Sequence, residues 1–268
     1  MKDYVLELVA SRQGTNAKLN IMREYLQAYV LRILHDEGFF RSAAFVGGTA
    51  LRFLHGLPRF SEDLGFSQAK ENHEKSFVAL MKKVERELEA AGYSASVLAK
   101  TEKTVHHAMI KFEGLLHEAG LSPMARQKFS VKIEIDTRPP QGAVLTTNVV
   151  NKYFPISFLS YDTASLFAGK VHALLTRKCS KGRDYFDLGW YLSRWKDIVP
   201  NITQLRNALE QTGWQGGPVD EANWRALLTG TVERADWKKV RQDVENFLEN
   251  PGDMDIFSQE NILGLLKR

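Results

Sequence analysis

The sequence predicts an α+β protein, with an α/β lobe over residues 1–160 and a helical lobe over residues 161–268. Three observations carry this. The stretch from Phe45 to Ser67 reads as strand, glycine turn, helix, loop and second strand. The segment FSVKIEID alternates, so that Val131, Ile133 and Ile135 face one way and Lys132, Glu134 and Asp136 the other. Beyond Tyr161 the apolar residues recur at helical spacing.

Taken in order, Leu19, Met22, Leu26, Val30, Ile33 and Leu34 place a helix over 17–37, with Gly38 as its stop. A second amphipathic helix is expected over 72–91, with Phe77, Leu80, Val84 and Leu88 on one face and Gly92 at the C′ position. From Tyr93 to Asp136 three β-branched or alternating stretches (YSASVLA, TVHHAMIKFEGLL, FSVKIEID) read as strands. Pro139 and Pro140 deny helix to the segment after Asp136, and residues 155–159 give a short last strand. Asp162 or Thr163 caps a helix reaching about Arg177, and a second helix runs through RDYFDLGWYLSRW. Further helices are expected near 220–229, 236–249 and 258–266.

Composition bounds the function classes. Hydrophobic residues make up 44% and charged residues 25% of 268, the balance of an ordinary globular protein. The formal charge of +4 permits a nucleic-acid partner without demanding one. The lone Cys179 excludes an intramolecular disulfide and a multi-cysteine zinc site. No apolar run reaches membrane-span length and no signal-peptide core is seen, so a cytoplasmic protein is expected.

Gly47, Gly48 and Thr49 stand at a strand-to-helix turn, where backbone amides and the helix N-terminus suit a phosphate. The turn is not a P-loop, because no Gly-Lys-Ser/Thr follows at the required spacing. Paired glycines alone also serve merely to tighten a turn. Asp63 begins a strand after Arg59 and Ser61, and Asp136 ends another about seventy residues on. Together they suit a divalent metal that handles a triphosphate, although each alone reads equally as a surface acid. Lys170 and Arg177 share a helix face, and Asp184 and Asp187 project together. These four residues serve either a phosphate or ion pairs between helices. His106 and His107, adjacent on a strand, point to opposite faces and read as structural, as do the five tryptophans.

Three segments then fall into a pattern: GGTALRFLHGLPRFSEDL, KIEIDTRPPQGA, and LFAGKVHALLTR with KGRDYFDL. In this order they resemble the AbiEii/AbiGii nucleotidyltransferase toxins, relatives of the MenT toxins, over residues 40–195. The resemblance implies a polymerase-β-like minimal nucleotidyltransferase fold, a mixed sheet with flanking helices plus a helical C-terminal lobe. It implies transfer of NMP from an NTP to an acceptor hydroxyl, with Mg²⁺ or Mn²⁺, and the tRNA 3′ end as acceptor, so that translation is blocked. A separate antitoxin protein is the implied partner. By position, Asp63, Asp136, Lys170 and Asp184 take catalytic roles, and Asp63 and Asp136 the metal. Gly47, Gly48, Thr49, Arg59, Ser61, Lys170 and Arg183 take the nucleotide. Lys178, Lys181 and Arg183 stand as candidates for an RNA backbone.

One position departs from the pattern. The family's Asp-x-Asp pair reads Asp63-Leu64-Gly65 here. Three accounts follow: a weakened relative that binds nucleotide or a partner; supply of the missing oxygen by Glu62, Glu134 or Asp136; or a substitution acquired because the active toxin harms its expression host. A small-molecule nucleotidyltransferase is the further alternative.

Overall fold

The computed structural model describes residues 1–70, 76–177, 179 and 181–268. The chain divides into two compact units. The first comprises 1–56, 60–138 and 147–160, and the second comprises 57–59, 139–146 and 161–268.

The first unit opens with α1 (Lys2–Ala10) and α2 (Thr15–Asp36), followed by a 3₁₀ turn at Phe39–Arg41. Gly38, at φ 74°, makes the left-handed turn that ends α2's run. β1 (Ala43–Val46) leads directly into α3 (Gly47–His55), and β2 (Asp63–Gln68) follows. α4 (Phe77–Ala90) is capped by the Ser76 hydroxyl, which accepts from the Ala79 N–H. The expected earlier start of this helix, at 72, lies outside the described residues. β3 (Ala95–Lys100), β4 (Val105–Glu113), the short α5 (Leu115–Glu118) and β5 (Lys128–Asp136) come next. The strand expected through Leu116 stops at Glu113, because Gly114 turns left-handed at φ 76° and starts α5.

β6 (Leu145–Asn151) and β7 (Pro155–Tyr161) complete a mixed sheet of order β3-β4-β5-β2-β1-β7-β6 among the described residues. β2 runs antiparallel to β1 and parallel to β5, and β1 runs parallel to β7. Phe45, Phe66 and Phe158 from the adjacent strands β1, β2 and β7 meet Phe39 and Phe40 ring to ring. Each such buried ring contributes about 1.5–3 kcal/mol. That clamps the strands bearing Asp63 and the glycine turn.

The second unit holds α6 (Thr163–Thr176), α7 (Gly182–Arg194), α8 (Ile202–Gln211), α9 (Trp224–Glu233), α10 (Trp237–Glu245), α11 (Asp253–Ile256) and α12 (Gln259–Leu266). Asp162 caps α6 by accepting from the Ser165 N–H. Phe167, Tyr191 and Trp224 stack at the centre, all fully buried. No described tryptophan is exposed, consistent with core roles. No helix among the described residues is long and apolar enough to cross a membrane.

Candidate functional site

In the first unit the sequence builds a glycine turn that leads straight into a helix. Val46 stays extended, and Gly47 then takes φ 82°, which a side-chain-bearing residue adopts at a cost of about 1–2 kcal/mol. The chain passes without a loop into α3, so the amides of Gly47 and Gly48 sit at a helix N-terminus that no side chain caps. Thr49 is buried, and its hydroxyl donates to the Asp63 carbonyl at 2.5 Å. Gln27, on α2, donates its amide to the carbonyls of Ser61 and Glu62 at 3.0 and 2.8 Å. The turn and the approach to Asp63 are therefore fixed to each other and to α2. Gln27 was not singled out from the sequence. The sequence signal is that Gln27 shares a helix face with Val30 and Leu34, three and seven positions on, and the structure buries it at 1% exposure.

A second buried group stiffens α3 from behind. Glu24 receives hydrogen bonds from Arg52, Lys152 (3.0 Å) and the Tyr153 hydroxyl (2.8 Å). Burial alone would push the Glu24 carboxyl up, but the Arg52 and Lys152 charges outweigh it and hold the group below the usual carboxylate range.

The β2–β5 register decides which acids share a face. Asp63 lies opposite Lys132, Gly65 opposite Glu134, and Ser67 opposite Asp136. Asp136 is thus four positions beyond Asp63's rung, about 13 Å along the strand. Its carboxylate accepts instead from the Arg138 N–H at 2.9 Å. The acid beside Gly65 is Glu134, whose carboxylate receives the Lys132 ammonium. That bond, with Asp63 nearby, raises the Lys132 pKa above its ordinary value. His107, opposite Glu134 on the next strand, shares this face.

The paired-carboxylate arrangement needs an acid at 65, and Gly65 has none. Glu134 is occupied by Lys132, and Asp136 is displaced along its strand. Among the described residues no group of three or more His, Cys, Asp or Glu is placed to hold a metal ion. The donor set does not fit the Asp-x-Asp metal centre.

In the second unit Arg59, Lys170 and Asp184 join with Asp187 and Arg177 in one largely buried chain of charges. Arg59 grips Asp187 bidentately, both contacts at 2.7 Å, with Arg59 2% and Asp187 0% exposed. Lys170 reaches Asp187 at 2.6 Å and Asp184 at 3.1 Å, and Arg177 closes on the other Asp184 oxygen. Burial acts to raise the Asp187 pKa, and the Arg59 and Lys170 cations reverse it to a net lowering. Arg183 is held elsewhere, 3.6 Å from Asp243 and with its guanidinium 4.3 Å over the Phe247 ring. Lys178, a candidate for RNA contact, lies outside the described residues. His172 turns away from Lys170 to Thr212, at 3.0 Å.

The comparisons agree with this fold. Over most of both chains the structure resembles JHP933 from Helicobacter pylori, with a TM-score of 0.55 at 17% identity, covering 91% of this chain and 89% of that one. It resembles similarly a "putative nucleotidyltransferase from H. pylori", with a TM-score of 0.56 at 17% identity, covering 92% and 93%. No curated protein matches. A family model described as nucleotidyl transferase AbiEii toxin, type IV toxin–antitoxin system, matches residues 29–259. With that match spanning most of its length, the chain belongs to the AbiEii nucleotidyltransferase toxin family.

Proposed function

We propose that this chain binds a nucleoside triphosphate at the Gly47–Gly48–Thr49 turn and transfers NMP to a hydroxyl of an RNA acceptor, the tRNA 3′ end. The observation that carries the reading is the turn itself: an uncapped helix N-terminus behind a left-handed glycine, tied by Thr49 to the strand of Asp63. Such a turn presents amides to phosphate oxygens and the positive end of a helix dipole to their charge. The acceptor oxygen attacks the α-phosphorus, its proton passes to a carboxylate of the β2–β5 face, and pyrophosphate leaves. Glu134 stands on the Gly65 rung and Asp63 two positions before it, and these two take that role in preference to Asp136, which is four positions from Asp63 and accepts from the Arg138 N–H. Lys170 and Asp184 keep the roles implied by family resemblance as a separate proposal. Lys170→Met tests it by loss of NTP affinity in a folded protein.

Metal dependence, Mg²⁺ or Mn²⁺, is the family's chemistry, and position 65 limits it here. Transfer by this sequence is therefore slow, and a carboxylate restored at 65 brings metal-dependent turnover back. A separate antitoxin is the partner to seek. A second reading, a nucleotide-binding relative without transfer, is favoured by Gly65 and by the Lys132–Glu134 pair. Incubating the protein with labelled NTPs and total tRNA separates the two. Label in the tRNA band supports transfer. Nucleotide binding with no labelled tRNA, at any NTP and with folded protein, supports the second reading.

A further inference from the structure

Where α6, α7 and α9 end or begin, the second unit opens a cavity of about 200 Å³. Its polar lining is Arg177, Lys181, Asp184, Tyr185, Thr231 and Arg234. The three cations come from three helix ends: Arg177 follows α6, Lys181 precedes α7, and Arg234 follows α9. All three are exposed at the mouth. Asp184 is buried and paired with Lys170 and Arg177, so the mouth's net positive charge rests chiefly on Lys181 and Arg234. The uncapped N-terminus of α7 brings the positive end of its dipole against the negative ends of α6 and α9, so the side-chain cations set the sign of the potential here.

Size narrows the ligand. Pockets that enclose a whole small molecule run to about 300–1,000 Å³. This one accepts a single phosphate group while the rest of the ligand stays outside. The Arg234 guanidinium fork, with the Lys181 ammonium, suits the oxygens of a phosphodiester. We infer that the cavity docks a backbone phosphate of a single-stranded RNA acceptor, gripped by Arg177, Lys181 and Arg234. This rests on the RNA-acceptor reading above and adds a contact, through Arg234, that neither the family match nor the sequence motifs assign.

The test uses the full chain and a fluorescently labelled single-stranded RNA oligonucleotide, titrated at several salt concentrations. The variants are the double change Lys181→Ala with Arg234→Ala and its charge-keeping counterpart, Lys181→Arg with Arg234→Lys. Each phosphate contact to a single strand contributes about −0.7 to the slope of log affinity on log salt. Loss of this contact makes the slope shallower by about 0.7 and weakens RNA binding about tenfold near 0.1 M salt. NTP affinity stays within twofold, and the charge-keeping pair restores RNA binding. An unchanged slope in a double variant that melts like wild type overturns the inference. So does a fall in NTP affinity with RNA binding intact, which would make the cavity a triphosphate site. If wild type turns over NTP yet binds no RNA, the acceptor reading falls and this one with it. If wild type binds RNA and the double variant binds equally well, only this inference falls.

Discussion

At the scale of single residues, the account turns on what stands opposite what. Gly65 departs from the family pattern, and that was legible from the sequence alone. Which acid neighbours it was not: the sequence offered Glu62, Glu134 and Asp136, and only the parallel register of β2 and β5 selects Glu134. Likewise Thr49 reads in sequence as a phosphate ligand, whereas its buried hydroxyl bonds the Asp63 carbonyl. Thr49→Val removes that donor and keeps the shape, so we expect a loss of about 1 kcal/mol in urea unfolding and weaker NTP binding. In the second unit Asp187 neutralises two cations in the interior. Asp187→Asn removes the carboxylate shared by the buried Arg59 and Lys170 and leaves Lys170 with Asp184, and the expected destabilisation is about 3–5 kcal/mol by chemical denaturation. A loss below about 1 kcal/mol would show that the buried chain of charges contributes little to folding.

At the scale of elements, those with strong local patterns were readable. FSVKIEID became β5 with the expected alternation of buried and half-exposed residues, and α3 followed the glycine turn as anticipated. Besides the four-residue α5 and α11, the elements that escaped are α1, β6 and α8. α1 buries only Val5 and Val9, too few to set a period. β6 alternates only between exposed and half-buried residues, so no apolar stripe marks it. α8 does carry the signals, an Asn201 cap and Leu205, Ala208 and Leu209 at helical spacing, within ten residues. The packing of α7 on α10 could not have been read at all. A Cβ on Gly182 would lie 1.9 Å from the Val240 carbonyl oxygen, so the two helices touch backbone to side-chain-free backbone. Gly182→Ala must push them apart. We expect it to cost about 3 kcal/mol in urea unfolding, the upper part of the usual overpacking range.

At the scale of the whole molecule, each unit is built around a buried carboxylate held by cations, Glu24 in the first and Asp187 in the second. Both have folded-state pKa values below their ordinary ones. A depressed pKa stabilises the fold above the unfolded value, near 4.3 for Glu and 3.9 for Asp, and that stability is lost as pH falls through the lower folded value. Unfolding free energy measured against pH should therefore fall steeply below about pH 4, after a gentler decline beginning near pH 6.5, where burial holds the His172 pKa below its ordinary value. The Asp187→Asn variant should show a shallower acid limb. A steep fall already at pH 6 would point to other groups.

The central claim, that this is a nucleotidyl-transfer fold limited by one missing carboxylate, is tested most directly at position 65. An aspartate there points to the face of Asp63 and Glu134, and its Cβ meets the Val46 carbonyl oxygen at 3.2 Å, which asks for a shift of a few tenths of an ångström. The measurement is transfer of labelled NTP to total tRNA in Mg²⁺, with wild type and Gly65→Asp assayed side by side at equal folded concentration. A restored metal carboxylate returns orders of magnitude in rate, so the variant should exceed wild type by at least about tenfold and lose the gain in chelator. Equal rates from two folded proteins, across all four NTPs, would contradict the claim.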